Sequence, residues 1–489
     1  MAFGCPPADC DYTAKGKQTM KIALIVEGSY PYVSGGVASW IQMLIASMPQ
    51  HEFEIIAISS SRKEEATYKY KLPANLSGIH DVFIMDYQNL EEGRAPSLSA
   101  VEAEACLAWF AFQPGSEQAL TLIADQAKLG NPVSFMKSEN FWSFLVDAYE
   151  REMPEHSFNS YFWTWRSMYL PAVYLLQQSY PKADVYHAVS TGYAGLIGTY
   201  LRMANHKPFL LTEHGVYARE REEEILKSAW VDPPFKKRWI DYFYHMSQGA
   251  YLTADRTIAL YGGTHQIQLE LGTPKEQALV IPNGVDYRRL SQLPRQTNNT
   301  QGRIVFGALV RLVPIKDIKT LLYATRLACA EIANLSLLIM GPTDEDPDYY
   351  QECVALTRNL QLEAIVTFTD KVAIEDYLPQ VDVLILSSIS EGQPLAVLEG
   401  MAAGVPWICT EVGSCRELLE GKDEHDAGIA GYIVPPVNPR AMADMMVKMH
   451  ALPDERNYMG QVGRRRVAAY YQTDHFIDAY KKLYDEVVT

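Results

Sequence analysis

The sequence predicts an α/β protein made of two doubly wound domains facing across a cleft, with a helical insertion in the first. Three observations carry this. Short apolar runs alternate with helical patterns on both sides of one polar segment, SQLPRQTNNTQG, at residues 291–302. The chain's 489 residues exceed what one hydrophobic core supports, so two or three domains of roughly 100–200 residues are expected. A stretch at about residues 98–180 places Trp109, Trp142, Trp163 and Trp165 among helical patterns with few β-branched runs, which interrupts the alternation.

Residues 1–19 are rich in Pro, Asp and Gly and lack both the basic and the apolar region of a signal peptide, so they read as a loose tail. The first domain spans residues 20–290. KIALIVEG supplies its first strand, Gly35-Gly36 a turn, VASWIQMLIASM a helix and EFEIIAISS a second strand. After the insertion the alternation resumes with ADVYHAVS, GYAGLIGTYLRMAN, PFLLTEHG, a long helix at about residues 235–254, RTIALYG and ALVIPNGVD. Strands separated by helices imply a parallel sheet of right-handed crossovers. The polar segment 291–302 reads as a linker, and residues 303–470 repeat the alternation through RIVFGAL, LSLLIMG, AIVTFT, VDVLILSS, PWICTE and GYIVPP. The final stretch, residues 471–489, has an apolar stripe of Phe476, Ile477, Tyr480, Leu483, Tyr484 and Val487, a face available for packing back on the first domain.

Composition narrows the function. A net charge of −16 argues against a nucleic-acid partner, which needs a basic face. Seven cysteines form no CxxC pair or framework, which points to a reducing compartment and no structural metal. No run approaches the roughly 18 apolar residues of a membrane span, so the expectation is a cytoplasmic protein, with docking at a membrane complex left open.

The chemistry concentrates in two loops of the second domain. GALVRLVPIKDIK sets Arg311 and Lys316 between a strand and a helix, and SEGQPLAVLEGMAAGVP sets Glu391 before, and Glu399 within, a helix at about residues 395–403. In a doubly wound domain these loops open on the carboxyl ends of the strands, where ligands bind at a topological switch point. Arg and Lys suit a diphosphate, while carboxylates accept hydrogen bonds from sugar and ribose hydroxyls, so the set suits a nucleotide sugar. The helix start adds free amides that favour an anion, although Pro394 has none to give. Taken singly, each glutamate is as well explained as a solvated surface residue and the cation loop is better explained as an ordinary one. In the first domain Gly35 and Gly36 permit close approach of backbone to a ligand, and His214, at a strand end, can bond a hydroxyl or phosphate or simply sit satisfied. Arg464, Arg465 and Arg466 read as a solvated helix face or a contact to an acidic neighbour, and the tryptophans read as core.

Together, Gly35-Gly36, IPNGVD at Ile281–Asp286, Arg311 with Lys316, and the E-x7-E pair Glu391 and Glu399 resemble the retaining glycosyltransferases of family GT4 over almost the whole chain. EGSYPYVSGGVASW, TEHGVYARERE and SISEGQPLAVLEGMAAGVPWICTEVGSCREL are similar to the PelF branch, which acts in Pel-type exopolysaccharide synthesis. Ser414-Cys415 depart from the second glycine that many members of the wider family carry there. The resemblance implies a GT-B arrangement of two Rossmann-like domains and metal-independent transfer of a hexosyl unit from a UDP-sugar, UDP-glucose or a UDP-N-acetylhexosamine, with no cofactor. The acceptor it implies is a growing polysaccharide or lipid-linked glycan, with an inner-membrane synthesis complex as a partner. By the same resemblance Arg311 and Lys316 bind the diphosphate, Glu399 the ribose and Glu391 the donor sugar, helped by Gly392 and Gln393, with His214 beside the reacting face. A nucleotide-sugar-binding scaffold subunit without transfer, or a synthase acting on a small sugar acceptor, are the alternatives.

Overall fold

The computed structural model describes residues 19–62, 67–294, 303–422, 426 and 428–488. The tail expected at 1–19 and the linker expected at 291–302 fall largely outside them. Seven strands form the first sheet: β1 (Lys21–Glu27), β2 (Glu52–Ser59), β3 (Leu76–Phe83), β4 (Val185–Ala188), β5 (Phe209–Glu213), β6 (Arg256–Ala259) and β7 (Ala278–Val280). Six form the second: β8 (Ile304–Leu309), β9 (Leu335–Met340), β10 (Val366–Asp370), β11 (Val383–Leu386), β12 (Trp407–Thr410) and β13 (Gly431–Val434). The orders are β3-β2-β1-β4-β5-β6-β7 and β10-β9-β8-β11-β12-β13, and the pairings within both sheets are parallel. Strand order therefore reverses between β1 and β4 and again between β8 and β11, which creates a crevice at the carboxyl edge of each sheet.

The period-2 geometry of β1 divides the first lobe's core. Ile22, Leu24 and Val26 face Trp40 and Leu44 of the helix Gly36–Ala46, while Ala23 and Ile25 face the inserted helices. The insertion between β3 and β4 includes Ala100–Phe110, Glu139–Glu152 and Phe158–Leu176, the first of them started by a Ser99–Glu102 capping box. Trp109 and Trp165 lie in the core as expected, whereas Trp142 and Trp163 stand exposed.

The closing helix Thr473–Val488 returns to the first lobe. Phe476, Ile477, Tyr480, Leu483 and Tyr484 join the cluster around Trp40. Two buried hydrogen bonds fix its register, Tyr484 to His187 Nδ1 at 2.7 Å and Tyr480 to Thr212 Oγ1 at 2.9 Å. Conversely Val285 and Leu290, which the sequence put in the first domain, pack in the second lobe's core, so the chain changes lobe before residue 290.

The three consecutive arginines do not share a face, because each helical step turns the side chain by about 100°. Arg466 is fully buried, its guanidinium bonded to Asp426 at 2.7 Å and to the carbonyls of Leu418, Leu419 and Gly428. Arg464 donates to the Ser291 carbonyl, and Arg465 rests over Tyr458. The expected solvated face is thus partly a core ion pair. Among the described residues five cysteines are free thiols, no group of His, Cys, Asp and Glu could hold a metal ion, and no helix is long and apolar enough to cross a membrane.

Candidate functional site

The loop after β8 runs into a short 3-10 turn, Pro314–Lys316, and then into the helix Ile318–Ala328. Asp317 takes a left-handed conformation (φ 45°) at that junction and caps the helix through Thr320 N at 3.2 Å. The loop after β11 is laced to it: Ser387 Oγ donates to the Lys316 carbonyl at 2.8 Å, and Ile389 N to the Ile315 carbonyl at 2.8 Å. The lacing holds Lys316 Nζ 2.6 Å from Glu391 Oε1, which also accepts from Ser388 Oγ at 2.6 Å. Both charged side chains are largely buried, with 16% and 11% exposed. A pair this dry is held for its geometry, because desolvation offsets much of its attraction. Arg311 sits on the same rim but turns to Glu345 at 2.5 Å, a half-exposed pair of little energetic weight.

These groups line a cavity of about 350 Å³ between the lobes. Its second-lobe wall includes Arg311, Lys316, Glu391, Gly392 and Gln393, and its first-lobe wall includes Gly36, Val37, His214 and Asn283. A larger open hollow of about 670 Å³, beside Pro49, His51 and Pro73, lies at the opposite, amino edge of the first sheet, away from the switch point.

His214 follows β5 and lies edge-on to Trp40, ring centres 4.8 Å apart, with Nε2 buried and without a hydrogen-bond partner. Burial drives its pKa down to about 4, so the ring is neutral at pH 7. His187 behind it is driven down to about 3 by burial and by His214. A histidine lowered in the folded state contributes stability that is full above its unfolded pKa of 6.5 and is lost as pH falls toward the folded value. Glu399 and Glu213, both raised to about 7, act in the opposite direction over much of that window. His214→Gln should therefore lose less stability than the parent chain between pH 7 and pH 5, as read from urea unfolding at the two pH values; equal losses would contradict a neutral buried ring.

The lobes meet at Gly392 and Gln393. A Cβ at Gly392 would overlap the His214 carbonyl oxygen. Gln393 Oε1 accepts from the Asn283 backbone N at 2.6 Å, and Gly262 N donates to Glu417 Oε2 at 3.0 Å. The Gln393 side-chain oxygen is thus engaged in clamping the lobes, whereas the group expected to serve a ligand is the backbone amide.

Of the residues singled out from sequence, Gly36, His214, Arg311, Lys316, Glu391, Gly392 and Gln393 line one cavity; Gly35 and Glu399 do not. Gly35 caps the helix Gly36–Ala46, its N–H donating to Tyr70 OH at 3.3 Å. Glu399 stands one turn beyond the cavity-lining Leu395 and Ala396 on the short helix Leu395–Ala402, where burial raises its carboxyl to about 7 against the pull of Arg289. Sequence reasoning assigned no role to Ser388 or Glu345 and took Asn283 only as part of the IPNGVD segment. Ser388, three residues before Glu391, also had a local signal; Glu345 had none.

Two doubly wound lobes closing over a cavity at their switch points define the GT-B class of fold. Residues 20–276 match the family described as a domain of unknown function (DUF3492), and residues 303–451 match Glycosyl transferases group 1. The first match covers more than half of the chain, which belongs to that family and carries a group 1 glycosyltransferase lobe behind it. Among curated proteins, an MMP alpha-(1->4)-mannosyltransferase of Mycolicibacterium hassiacum is 26% identical over 267 residues, 53% of this chain and 60% of that one. The chain thus spans less than two thirds of that relative's length. Sucrose-phosphate synthase of Thermosynechococcus elongatus has the same fold with a TM-score of 0.60 at 16% identity, covering 96% of this chain and 98% of the other. Anabaena HepE in complex with UDP and glucose has a TM-score of 0.56 at 13% identity, covering 95% and 99%.

Proposed function

We propose that this chain is a retaining glycosyltransferase that moves a hexosyl unit from a UDP-sugar to a growing exopolysaccharide or lipid-linked acceptor. The observation that carries the reading is the buried Lys316–Glu391 pair on the wall of an interlobe cavity, with Arg311 on the same rim. A diphosphate entering there exchanges carboxylate partners for phosphate oxygens: Lys316 leaves Glu391, and Arg311 leaves Glu345. The charge that develops on the leaving diphosphate is then met by two cations, each unit pair contributing roughly 4 kcal/mol at about 4 Å and an effective dielectric near 20. The Glu391 carboxylate, freed and still oriented by Ser388, accepts hydrogen bonds from donor-sugar hydroxyls. Neutral His214 offers its unpartnered Nε2 to the sugar or the acceptor from the facing lobe. In this reading Glu399 serves the ribose, with its buried carboxyl as the acceptor. Transfer proceeds on one face, the leaving phosphate helping to deprotonate the acceptor, and no protein nucleophile is assigned.

Uridine as the base is supported by the likeness in fold to HepE, which was solved with UDP and glucose. The polysaccharide acceptor and a membrane-associated synthesis complex are supported by the similarity of three segments to the PelF branch. A thermal-shift series with UDP, ADP and GDP and their glucose and N-acetylhexosamine conjugates tests the reading. A ligand at about one hundred times its Kd stabilises by about 2.7 kcal/mol, so UDP compounds should give the largest rise. A larger rise with ADP or GDP would overturn the uridine assignment. UDP binding without sugar release in the presence of glycan acceptors would favour a scaffold subunit.

A further inference from the structure

We propose that a second hollow, on the first lobe, is a neutral-sugar subsite that anchors one ring of the glycan acceptor behind the reacting hydroxyl; this rests on the transferase reading above. The hollow, about 220 Å³, opens at the carboxyl ends of β1, β2 and β3 and is separate from the interlobe cavity. Its floor is apolar, from Val26, Ala57 and Ile58, and its rim carries Tyr32, Asp81 and Phe83 with the Ser59–Ser61 hydroxyls.

The rim has the chemistry of saccharide recognition. A sugar ring offers an apolar CH face that packs on aromatic carbon and a periphery of hydroxyls that donate to carboxylates. Tyr32 and Phe83 supply the carbon. Asp81 supplies the carboxylate, oriented by the Tyr32 phenol, which donates to its two oxygens at 2.8 and 3.0 Å. Ser29 is in the wall, with its Oγ buried and without a hydrogen-bond partner. Two ring pairs brace the loop that bears these groups: Tyr32 with Tyr68 at 5.6 Å, and Tyr30 with Tyr70 at 5.5 Å.

Other occupants fit poorly. Among the described residues no cation lines the hollow, and the nearby Arg62 is engaged over the Phe83 ring and paired with Asp86 at 3.1 Å, so a phosphate would meet Asp81 uncompensated by them. A lipid tail would bury Asp81 and the serine hydroxyls without partners. The position suits an acceptor. The loop that forms one wall leads directly to Gly36 and Val37, which line the interlobe cavity, so a glycan held here lies beside the transfer site.

The test uses the full chain with UDP present and three neutral probes, maltotetraose, cellotetraose and chitotetraose, followed by saturation-transfer NMR, with UDP affinity measured in parallel by calorimetry. At least one probe should bind the parent chain. Tyr32→Ala and Asp81→Asn should each weaken it about tenfold or more, because each removes a contact to a charged or aromatic group. UDP affinity should stay within about twofold, as expected for a separate site. No binding by any probe, or equal binding by the parent and both variants, would overturn the subsite. Asp81 is exposed, so Asp81→Asn gives the reading if Tyr32→Ala lowers the unfolding midpoint. Loss of UDP binding in the parent would sink the transferase reading instead, whatever the sugar arm shows.

Discussion

Lys316→Ala is expected to lower kcat/KM for the donor by about 10² to 10³, the usual cost of removing one preorganised group that meets developing charge. The effect should be larger than for Arg311→Ala. Lys316 is held in a largely dry position by its buried neighbours, and its removal also strands Glu391, which would keep only Ser388 as a partner. Arg311 is about 40% exposed and already shares its charge with Glu345, so water covers part of its loss. Steady-state kinetics with a UDP-sugar, together with UDP calorimetry on each variant, separate the two. If Lys316 acts on the leaving diphosphate in the transition state, kcat falls more than UDP affinity does. Turnover within about twofold of the parent would remove Lys316 from the site altogether.

Gly392→Ala should be the second large effect, and it works through shape. A methyl group there has no room beside the His214 carbonyl, and the loop cannot retreat, because Gly413 packs on the Glu391 and Gly392 carbonyls from behind while Ser414 N donates to the Gly392 carbonyl at 2.9 Å. The lobes must separate by something on the order of 1 Å, enough to cost about 10² in rate when two reacting groups sit on opposite walls. UDP binding, which draws on the second lobe, should survive. Small-angle scattering on the variant should show a wider interlobe gap, and transfer should fall about a hundredfold with UDP affinity nearly intact. A variant that transfers normally would mean that the observed closure is not the working one.

Most of the architecture was legible because buried parallel strands read as unbroken apolar runs, as in KIALIVE and VLIL. The strand that escaped is β3. It lies at the sheet edge, its sequence LSGIHDVF mixes His and Asp among apolar residues, and only Val82 is buried. The cations and glutamates of the candidate site stood out as charges at strand ends, where the fold class already located a crevice. Their partners did not. Glu345 meets Arg311 across 34 residues, Asn283 meets Gln393 across 110, and Tyr32 meets Asp81 across 49, and no local spacing encodes such contacts. Glu399 was read correctly as helical and falls on the face of the cavity-lining Leu395 and Ala396, but one turn further along the axis, outside the cavity wall.

The polypeptide passes between the lobes twice, and the passes run side by side. Val285 N donates to the Tyr471 carbonyl at 2.9 Å and Thr473 N to the Val285 carbonyl at 3.1 Å, so the outgoing and returning segments are stitched into one short ribbon. A single thread would leave a ball joint, free to roll and swivel. A paired ribbon acts as a door hinge would: any bending between the lobes would run about one axis with torsion resisted, and would bring the same two faces back into register.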